Sequence, residues 1–188
     1  MICIEGKSCS GKDTTVNKLI QMGYTRAITY TTRPQRIGEV DGREYHFISE
    51  KKFLEMVKEN KFLEYKKYET KNGIWYYGSC LSDIKGDKKV IILTPDGAKK
   101  LKEQYPEIST IFLNTSNKEI RKRMKKRMKI SGENKKEIKR RYKSDKKDFK
   151  NVDADFIIFT DDKTPDDIAK TCIVMDYLSK KHNERSWW

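Results

Sequence analysis

Cysteines are few and long apolar runs are absent in this sequence. The four cysteines (Cys3, Cys9, Cys80 and Cys172) show no paired spacing, which argues against a disulfide framework or a zinc site. No apolar run approaches the roughly 20 residues of a membrane-spanning helix, and no signal-peptide pattern opens the chain. We therefore expect a cytoplasmic protein with reduced thiols and no membrane association. The sequence leaves open whether the protein is a monomer or a homodimer.

Basic residues outnumber acidic ones by 42 to 28, giving a formal net charge of +14 over 188 residues. This balance favours anionic partners, either nucleotides or nucleic acid. Short apolar runs ("MICI", "VIILT", "TIFLN" and "DFIIFT") alternate with amphipathic segments, a pattern typical of a single α/β domain with buried strands. Nothing resembles a base-reading module, so nucleic acid is not the expected partner.

Local signals predict where several helices begin and end. Val16, Leu19 and Ile20 recur at helical spacing, and Gly23 ends that helix. Ser49 is the predicted N-cap of a second helix. Further helices are predicted to begin near Asp96, Ser116, Asn134 and Pro165.

The stretch "GKSCSGKDTT", which begins at Gly6, matches the core of a phosphate-binding loop. Glycines at 6 and 11 let the backbone turn its N–H groups towards phosphate oxygens, and the following helix adds the positive end of its dipole. Lys12 can then reach the β- and γ-phosphates. The predicted ATP-binding residues are Gly6, Lys7, Ser8, Cys9, Ser10, Gly11, Lys12, Asp13 and Thr14.

Asp13 occupies the position where a Ser or Thr usually helps to hold magnesium. A carboxylate is itself a hard oxygen ligand, and Mg²⁺ often keeps waters between itself and the protein. We therefore expect Mg²⁺ to be held by Asp13, directly or through water, together with ATP.

A second anion site is indicated between residues 29 and 79. Arg33 and Arg36 flank a proline turn, where two guanidinium groups and the phenol of Tyr45 can hold one phosphate. Further along, Glu64 and Ser79 pair a carboxylate with a hydroxyl. Such a pair matches the donors and acceptor on the edge of guanine but not those of adenine.

The stretch "TTRPQRIGEVDGREYHFIS", with "KFLEY" and "YYGS" after it, resembles the signature of the guanylate kinase family. The resemblance runs from the phosphate loop to about Asp161. It implies a P-loop nucleoside-monophosphate-kinase fold, an α/β architecture with a central parallel sheet flanked by helices, a small mixed-strand lobe for the nucleoside monophosphate (NMP), and a helical lid. The implied bounds are a core of residues 1–27, 80–115 and 152–188, an NMP-binding lobe of 28–79 and a lid region of 116–151.

The resemblance also implies roles for individual residues. The GMP-binding residues would be Thr29, Arg33, Arg36, Tyr45, Glu64, Tyr77, Ser79 and Asp96. The lid arginines would be Arg123, Arg127 and Arg141, with Arg140 as an alternative for the last position. The implied catalytic residues are Lys12, Arg36, Arg123, Arg127 and Arg141, which would stabilise the charge of the transferring phosphoryl group.

The implied activity is transfer of a phosphoryl group from ATP to GMP or dGMP. Two departures from the family pattern leave the base specificity open. Thr94 stands where the family has its first Asp of L-D-x-D, and about four extra residues precede Tyr77. One alternative is a deoxynucleoside monophosphate kinase of broader base specificity. The other is a non-catalytic guanylate-kinase-like module that binds proteins.

Overall fold

The computed structural model of the protein describes residues 1–70, 73–84, 86, 88–131 and 135–185. The chain divides into two compact units. The first comprises Met1–Arg26 and Asp87–Trp188, and the second comprises Ala27–Gly86. The predicted NMP-binding lobe of residues 28–79 falls within the second unit, and the predicted lid region falls within the first.

The first unit is built on a five-stranded parallel sheet with strand order β2-β7-β1-β8-β9. Its strands are β1 (Ile2–Glu5), β2 (Thr25–Arg26), β7 (Lys89–Ile92), β8 (Ser109–Asn114) and β9 (Phe156–Phe159). Its helices are α1 (Lys12–Gln21), α3 (Pro95–Gln104), α4 (Asn117–Ser131), α5 (Lys135–Asp148) and α6 (Pro165–Arg185). A parallel sheet with helical connections is the architecture that the sequence predicted, and the fold-class prediction is confirmed.

The core of this unit is the apolar layer between the sheet and helices α1 and α6. Ile2 and Ile4 of β1 pack there with Val16 and Leu19 of α1, all fully buried. Ile20, which the sequence placed at the same helical spacing, is instead 42% exposed, because it lies outside the stripe that faces the sheet.

The second unit is a four-stranded mixed sheet, with strand order β4-β3-β6-β5, and one helix. Its elements are β3 (Thr29–Thr31), β4 (Tyr45–Phe47), α2 (Glu50–Lys58), β5 (Phe62–Thr70), β6 (Gly73–Cys80) and a short 3₁₀ turn (Leu81–Asp83). Phe53 of α2 stacks on Phe62 of β5 with ring centroids 4.4 Å apart. The unit therefore has a small aromatic core of its own.

Most predicted helix starts lie close to those in the structure. Ser49 caps α2, its hydroxyl accepting a hydrogen bond from the Lys52 N–H at 3.2 Å. Helices α3, α4 and α6 begin within one residue of the predicted positions. Asn134 lies outside the described residues, and α5 is described from Lys135. Strand β9 was expected to be buried, but Ile157 and Phe159 are exposed because β9 is the edge of the sheet.

Candidate active site

The phosphate-binding loop joins the end of β1 to the start of α1, as the motif requires. Gly11 has φ 102°, a left-handed conformation that favours glycine, and its carbonyl accepts the N–H of Thr15 at 2.9 Å. A Cβ on Gly6 would collide with the Ser10 hydroxyl and come within 3.2 Å of the Leu113 carbonyl. Both glycines are thus required by the shape of the loop.

Lys12 is folded against this loop. Its ammonium donates to the carbonyl oxygens of Gly6 at 2.6 Å and Lys7 at 2.9 Å. Burial lowers the pKa of Lys12, while the carboxylates of Asp13 and Asp145 act in the opposite direction. The predicted phosphate-binding cation therefore lies inside the loop, within reach of an anion held there.

The far side of the loop is held by residues from distant parts of the chain. The Ser10 carbonyl accepts from the Thr115 hydroxyl and from Arg123 Nη1, both at 3.2 Å. Arg123 also donates through Nε to Glu119 at 3.0 Å, which fixes the guanidinium on α4. One predicted lid arginine is thus in direct contact with the phosphate loop.

The other two lid arginines line a small cavity beside the loop. Its volume is about 10 Å³, and its walls are Ser8, Cys9, Met124, Arg127, Ile138 and Arg141. A space of this size is comparable to a single water, whereas ligand pockets occupy roughly 300 Å³ or more. Helices α4 and α5 therefore cover the loop, with arginines turned towards it. Of the two candidates for the last lid arginine, Arg141 is the one that lines the cavity.

Asp145 of α5 reaches the same loop and was not among the predicted site residues. Its Oδ2 accepts the backbone N–H of Ser8 at 2.8 Å, and its side chain is buried. Burial raises the pKa of Asp145, while the Ser8 N–H and the Lys12 ammonium act in the opposite direction. The contact joins residues that are 137 positions apart, so no local pattern could have revealed it.

Asp13 lies in the first turn of α1 with its side chain 70% exposed, and it pairs with Arg26 at 3.1 Å. Thr94, at the position of the missing family aspartate, is the N-cap of α3, where its hydroxyl accepts the N–H of Gly97 at 3.4 Å. Among the described residues no group of three or more His, Cys, Asp or Glu side chains could hold a metal. Asp13 thus places a solvent-exposed carboxylate directly after the phosphate-binding loop.

In the second unit, Glu39 connects the two predicted phosphate-binding arginines. It accepts from Arg33 Nη1 and Nη2, each at 2.8 Å, and from the backbone N–H of Arg36 at 2.8 Å. Burial acts to raise the pKa of Glu39, but the hydrogen bonds from Arg33 and Arg36 outweigh it and hold the pKa below its ordinary value. The Arg33 side chain is only 2% exposed, whereas that of Arg36 is 26% exposed.

The predicted tyrosines lie beside these arginines. The Arg33 guanidinium is 5.3 Å from the centre of the Tyr45 ring, and the Tyr45 and Tyr77 rings are 5.9 Å apart in a T-shaped arrangement. Thr29 of β3 pairs in register with Tyr45 of β4. The structure thus gathers Thr29, Arg33, Tyr45 and Tyr77 in one region of the second unit.

Glu64 and Ser79 are partners on the antiparallel strands β5 and β6, and the Ser79 hydroxyl donates to Glu64 Oε1 at 2.9 Å. A carboxylate and a hydroxyl are therefore held next to each other, as the guanine interpretation requires. Asp96, the remaining predicted GMP-binding residue, lies in the first unit, in the first turn of α3.

Comparison with known proteins adds a finding to this geometry. The sequence model of the guanylate kinase family ("Guanylate kinase") matches residues 1–176. The chain belongs to the guanylate kinase family. Phosphorylation of GMP is the function of this family, and the chain is a nucleoside monophosphate kinase by membership, which confirms the prediction from the motifs.

Relatives named guanylate kinase are similar along most of their length. The chain is 36% identical to the protein from Caldanaerobacter subterraneus subsp. tengcongensis over 171 residues, which cover 86% of this chain and 80% of that protein. It is 34% identical to the protein from Clostridioides difficile over 172 residues, with the same coverage of 86% and 80%.

A solved structure supports the fold. The crystal structure of guanylate kinase from Anaplasma phagocytophilum is similar with a TM-score of 0.63 and 21% identity, covering 97% of this chain and 85% of that one. Within the described residues, no helix is long and apolar enough to cross a membrane.

Proposed function

We propose that this protein transfers the γ-phosphoryl group of ATP to GMP or dGMP, giving ADP and GDP or dGDP. The observation that carries the choice of base is the Glu64–Ser79 pair on neighbouring strands, with its 2.9 Å hydrogen bond. A phosphate loop serves many nucleotides, whereas a carboxylate beside a hydroxyl suits the N–H donors and the acceptor of guanine.

The acceptor phosphate would be bound in the second unit. Arg36 is the more exposed of the two arginines and would contact phosphate oxygens, with Arg33, Tyr45, Tyr77 and, more weakly, Thr29 contributing to the same site. The 28–79 segment would act as the NMP-binding lobe, Asp96 would join the guanine contacts, and the 116–151 segment would act as the lid.

The donor phosphates would be bound at the loop that begins at Gly6. Lys12 and the three lid arginines would stabilise the negative charge that spreads over the transferring group, and a closed lid would exclude water that could otherwise attack ATP. No covalent intermediate on the enzyme is needed, because catalysis follows from alignment and charge stabilisation.

The donor set present fits a magnesium ion bound with ATP. Asp13 offers an exposed carboxylate in the first turn of the helix that follows the loop, and Mg²⁺ needs only one or two protein carboxylates beside waters and phosphate oxygens. We infer that Asp13 holds the ion, directly or through water. When bound, Mg²⁺ would neutralise charge on the β- and γ-phosphates.

The hairpin of β5 and β6 supports guanine selectivity over the broader alternative. Pairing is continuous from Glu64 and Ser79 to Thr70 and Gly73, so Glu64 and Ser79 are in register although about four extra residues precede Tyr77. Among the described residues Cys3, Cys9, Cys80 and Cys172 form no disulfide, which supports the proposed cytoplasmic location.

The test is ADP release from ATP–Mg²⁺ across a panel of ribo- and deoxyribonucleoside monophosphates. Turnover restricted to GMP and dGMP supports the proposal, whereas turnover with several bases would favour the broader kinase. Lys12→Ala should abolish turnover and leave GMP binding largely intact, because Lys12 belongs to the donor site. Absence of both turnover and ATP binding in the unmodified protein would favour the protein-binding module.

A further inference from the structure

The phosphate loop already contains an anion that belongs to the protein itself. Asp145 is 9% exposed, and its Oδ2 accepts the Ser8 N–H at 2.8 Å. Backbone N–H groups of such a loop are the donors that a nucleotide phosphate would use. The Asp145 carboxylate, which accepts the Ser8 N–H, therefore occupies a position where a phosphate oxygen could bind.

The cations around the loop also fit a carboxylate in the place of a phosphate oxygen. The positive charge of Lys12 acts on Asp145, and Arg127 and Arg141 line the cavity that includes Ser8. The ammonium of Lys12 is meanwhile bonded to the carbonyls of Gly6 and Lys7. In this arrangement the Ser8 N–H and the Lys12 ammonium both have hydrogen-bond acceptors that belong to the protein.

A phosphate oxygen cannot accept the Ser8 N–H while the Asp145 carboxylate accepts it. The cavity beside Ser8 and Cys9 is about 10 Å³, which leaves room for about one water between the loop and the helices that carry Arg127 and Arg141. A phosphate that bound there with Asp145 in place would also bring two negative charges together in a largely buried site, where their repulsion is weakly screened. A phosphate that takes the Ser8 N–H must therefore displace the Asp145 carboxylate.

We propose that Asp145 is an affinity-determining residue of the ATP site: its carboxylate competes with nucleotide phosphate for the loop and ties the position of α5 to whether the loop is occupied. The proposal rests on the proposed function for the identity of the nucleotide. Asp145 lies on α5 and not in the loop, so its contact with Ser8 links the helix to the state of the loop.

The test is the affinity of the full chain for ATP and ADP without any acceptor nucleotide, measured by calorimetry for the unmodified protein and Asp145→Asn. The amide keeps an oxygen that can accept the Ser8 N–H but removes the charge, so we expect ATP to bind about tenfold more tightly. Asp148→Asn is the matched control. It makes the same charge change one turn later on α5, where Asp148 accepts from the Ser144 hydroxyl, and it should change the affinity much less.

Two other outcomes would overturn the inference. Unchanged or weaker ATP binding by Asp145→Asn would mean that the carboxylate orders the loop for nucleotide instead of competing with it. An equal gain in Asp148→Asn would mean that only the overall charge matters. Circular dichroism melting of each variant shows whether the fold is retained. Asp145→Ala, which removes the acceptor entirely, is a second variant that should also bind ATP more tightly than the unmodified protein. If the unmodified protein bound no ATP at all, the proposed function would fail instead.

Discussion

At the scale of single residues, Glu5 ends β1 with a side chain that is 1% exposed. Neither of its carboxylate oxygens has a hydrogen-bond partner among the described residues. Burial, reinforced by the charges of Asp155 and Asp153, raises the pKa of Glu5 from 4.5 to about 7. An unpartnered carboxylate is tolerated in such a place because it can stay protonated near neutral pH.

This raised pKa predicts a specific dependence of stability on pH. A pKa above the unfolded value stabilises the fold fully at low pH, and the contribution is lost as pH rises from about 4.5 through about 7. Glu5→Gln removes the titration, so its free energy of unfolding relative to the unmodified protein should increase between pH 5 and pH 8, by at most about 3 kcal/mol. Urea unfolding at both pH values measures this. A difference that stays constant with pH would show that Glu5 is not the titrating group.

Glu64 provides a second prediction at this scale. Glu64→Gln replaces an acceptor oxygen with an NH₂ donor facing the N–H groups of guanine, so we expect the KM for GMP to rise about tenfold to hundredfold. The KM for ATP should change little, because Glu64 belongs to the second unit. Glu69→Gln, further along the same strand with its side chain 85% exposed, is the control. Equal losses in both variants would place the base pocket elsewhere.

At the scale of an element, the turn after β3 depends on Glu39. Arg33 is buried, and Glu39 supplies the opposite charge through two hydrogen bonds of 2.8 Å while also accepting the Arg36 N–H. One carboxylate therefore links the buried Arg33 to the turn that presents Arg36. Its position three residues after Arg36 in "RIGE" was visible in the sequence, but only the fold shows that it also reaches Arg33.

Glu39→Gln should destabilise the protein and weaken GMP binding together. Removing one partner of a buried ion pair leaves an uncompensated charge, which costs about 3 kcal/mol or more. Chemical unfolding and the KM for GMP are the two measurements. Glu59→Gln, which breaks an exposed pair with Lys61 at 2.6 Å, should cause a far smaller loss of stability. Wild-type stability in Glu39→Gln would mean that Arg33 finds another acceptor.

At the scale of the whole molecule, the formal charge of +14 opposes compactness through self-repulsion. Ion pairs such as Lys52–Glu55 and Lys61–Glu59 are largely exposed, so each contributes little to the free energy of unfolding. Salt that weakens these pairs should therefore cost little stability. Screening of the net charge should therefore be the larger effect.

We expect the melting temperature to rise when NaCl is increased from about 0.02 M to about 0.2 M, by about 2–4 °C for each kcal/mol of repulsion that is screened. Calorimetry in a buffer free of phosphate and sulfate measures this, since those anions would bind the loop itself. A melting temperature that falls with added NaCl would show that the ion pairs outweigh the repulsion.

Much of this molecule could be predicted from local sequence patterns. The strand–loop–helix around Gly6, Gly11 and Lys12, the Ser49 cap and the alternation of strands and helices depend on neighbours along the chain, where backbone conformation and hydrophobic periodicity act directly. The family motifs extended this to the fold and the class of enzyme. The individual site residues remain predictions.

Other features were decided only by the tertiary structure. The contact of Asp145 with Ser8, the bidentate pairing of Arg33 with Glu39 and the isolation of the Glu5 carboxylate each depend on which groups the fold brings together and which it separates from water. The sequence by itself determined the helices and strands and the side chains available at the site, because hydrophobic periodicity and backbone preferences depend on residues close together in the chain. The fold decided which charges meet and which are buried, because electrostatic interactions depend on distance in space and on the surrounding dielectric.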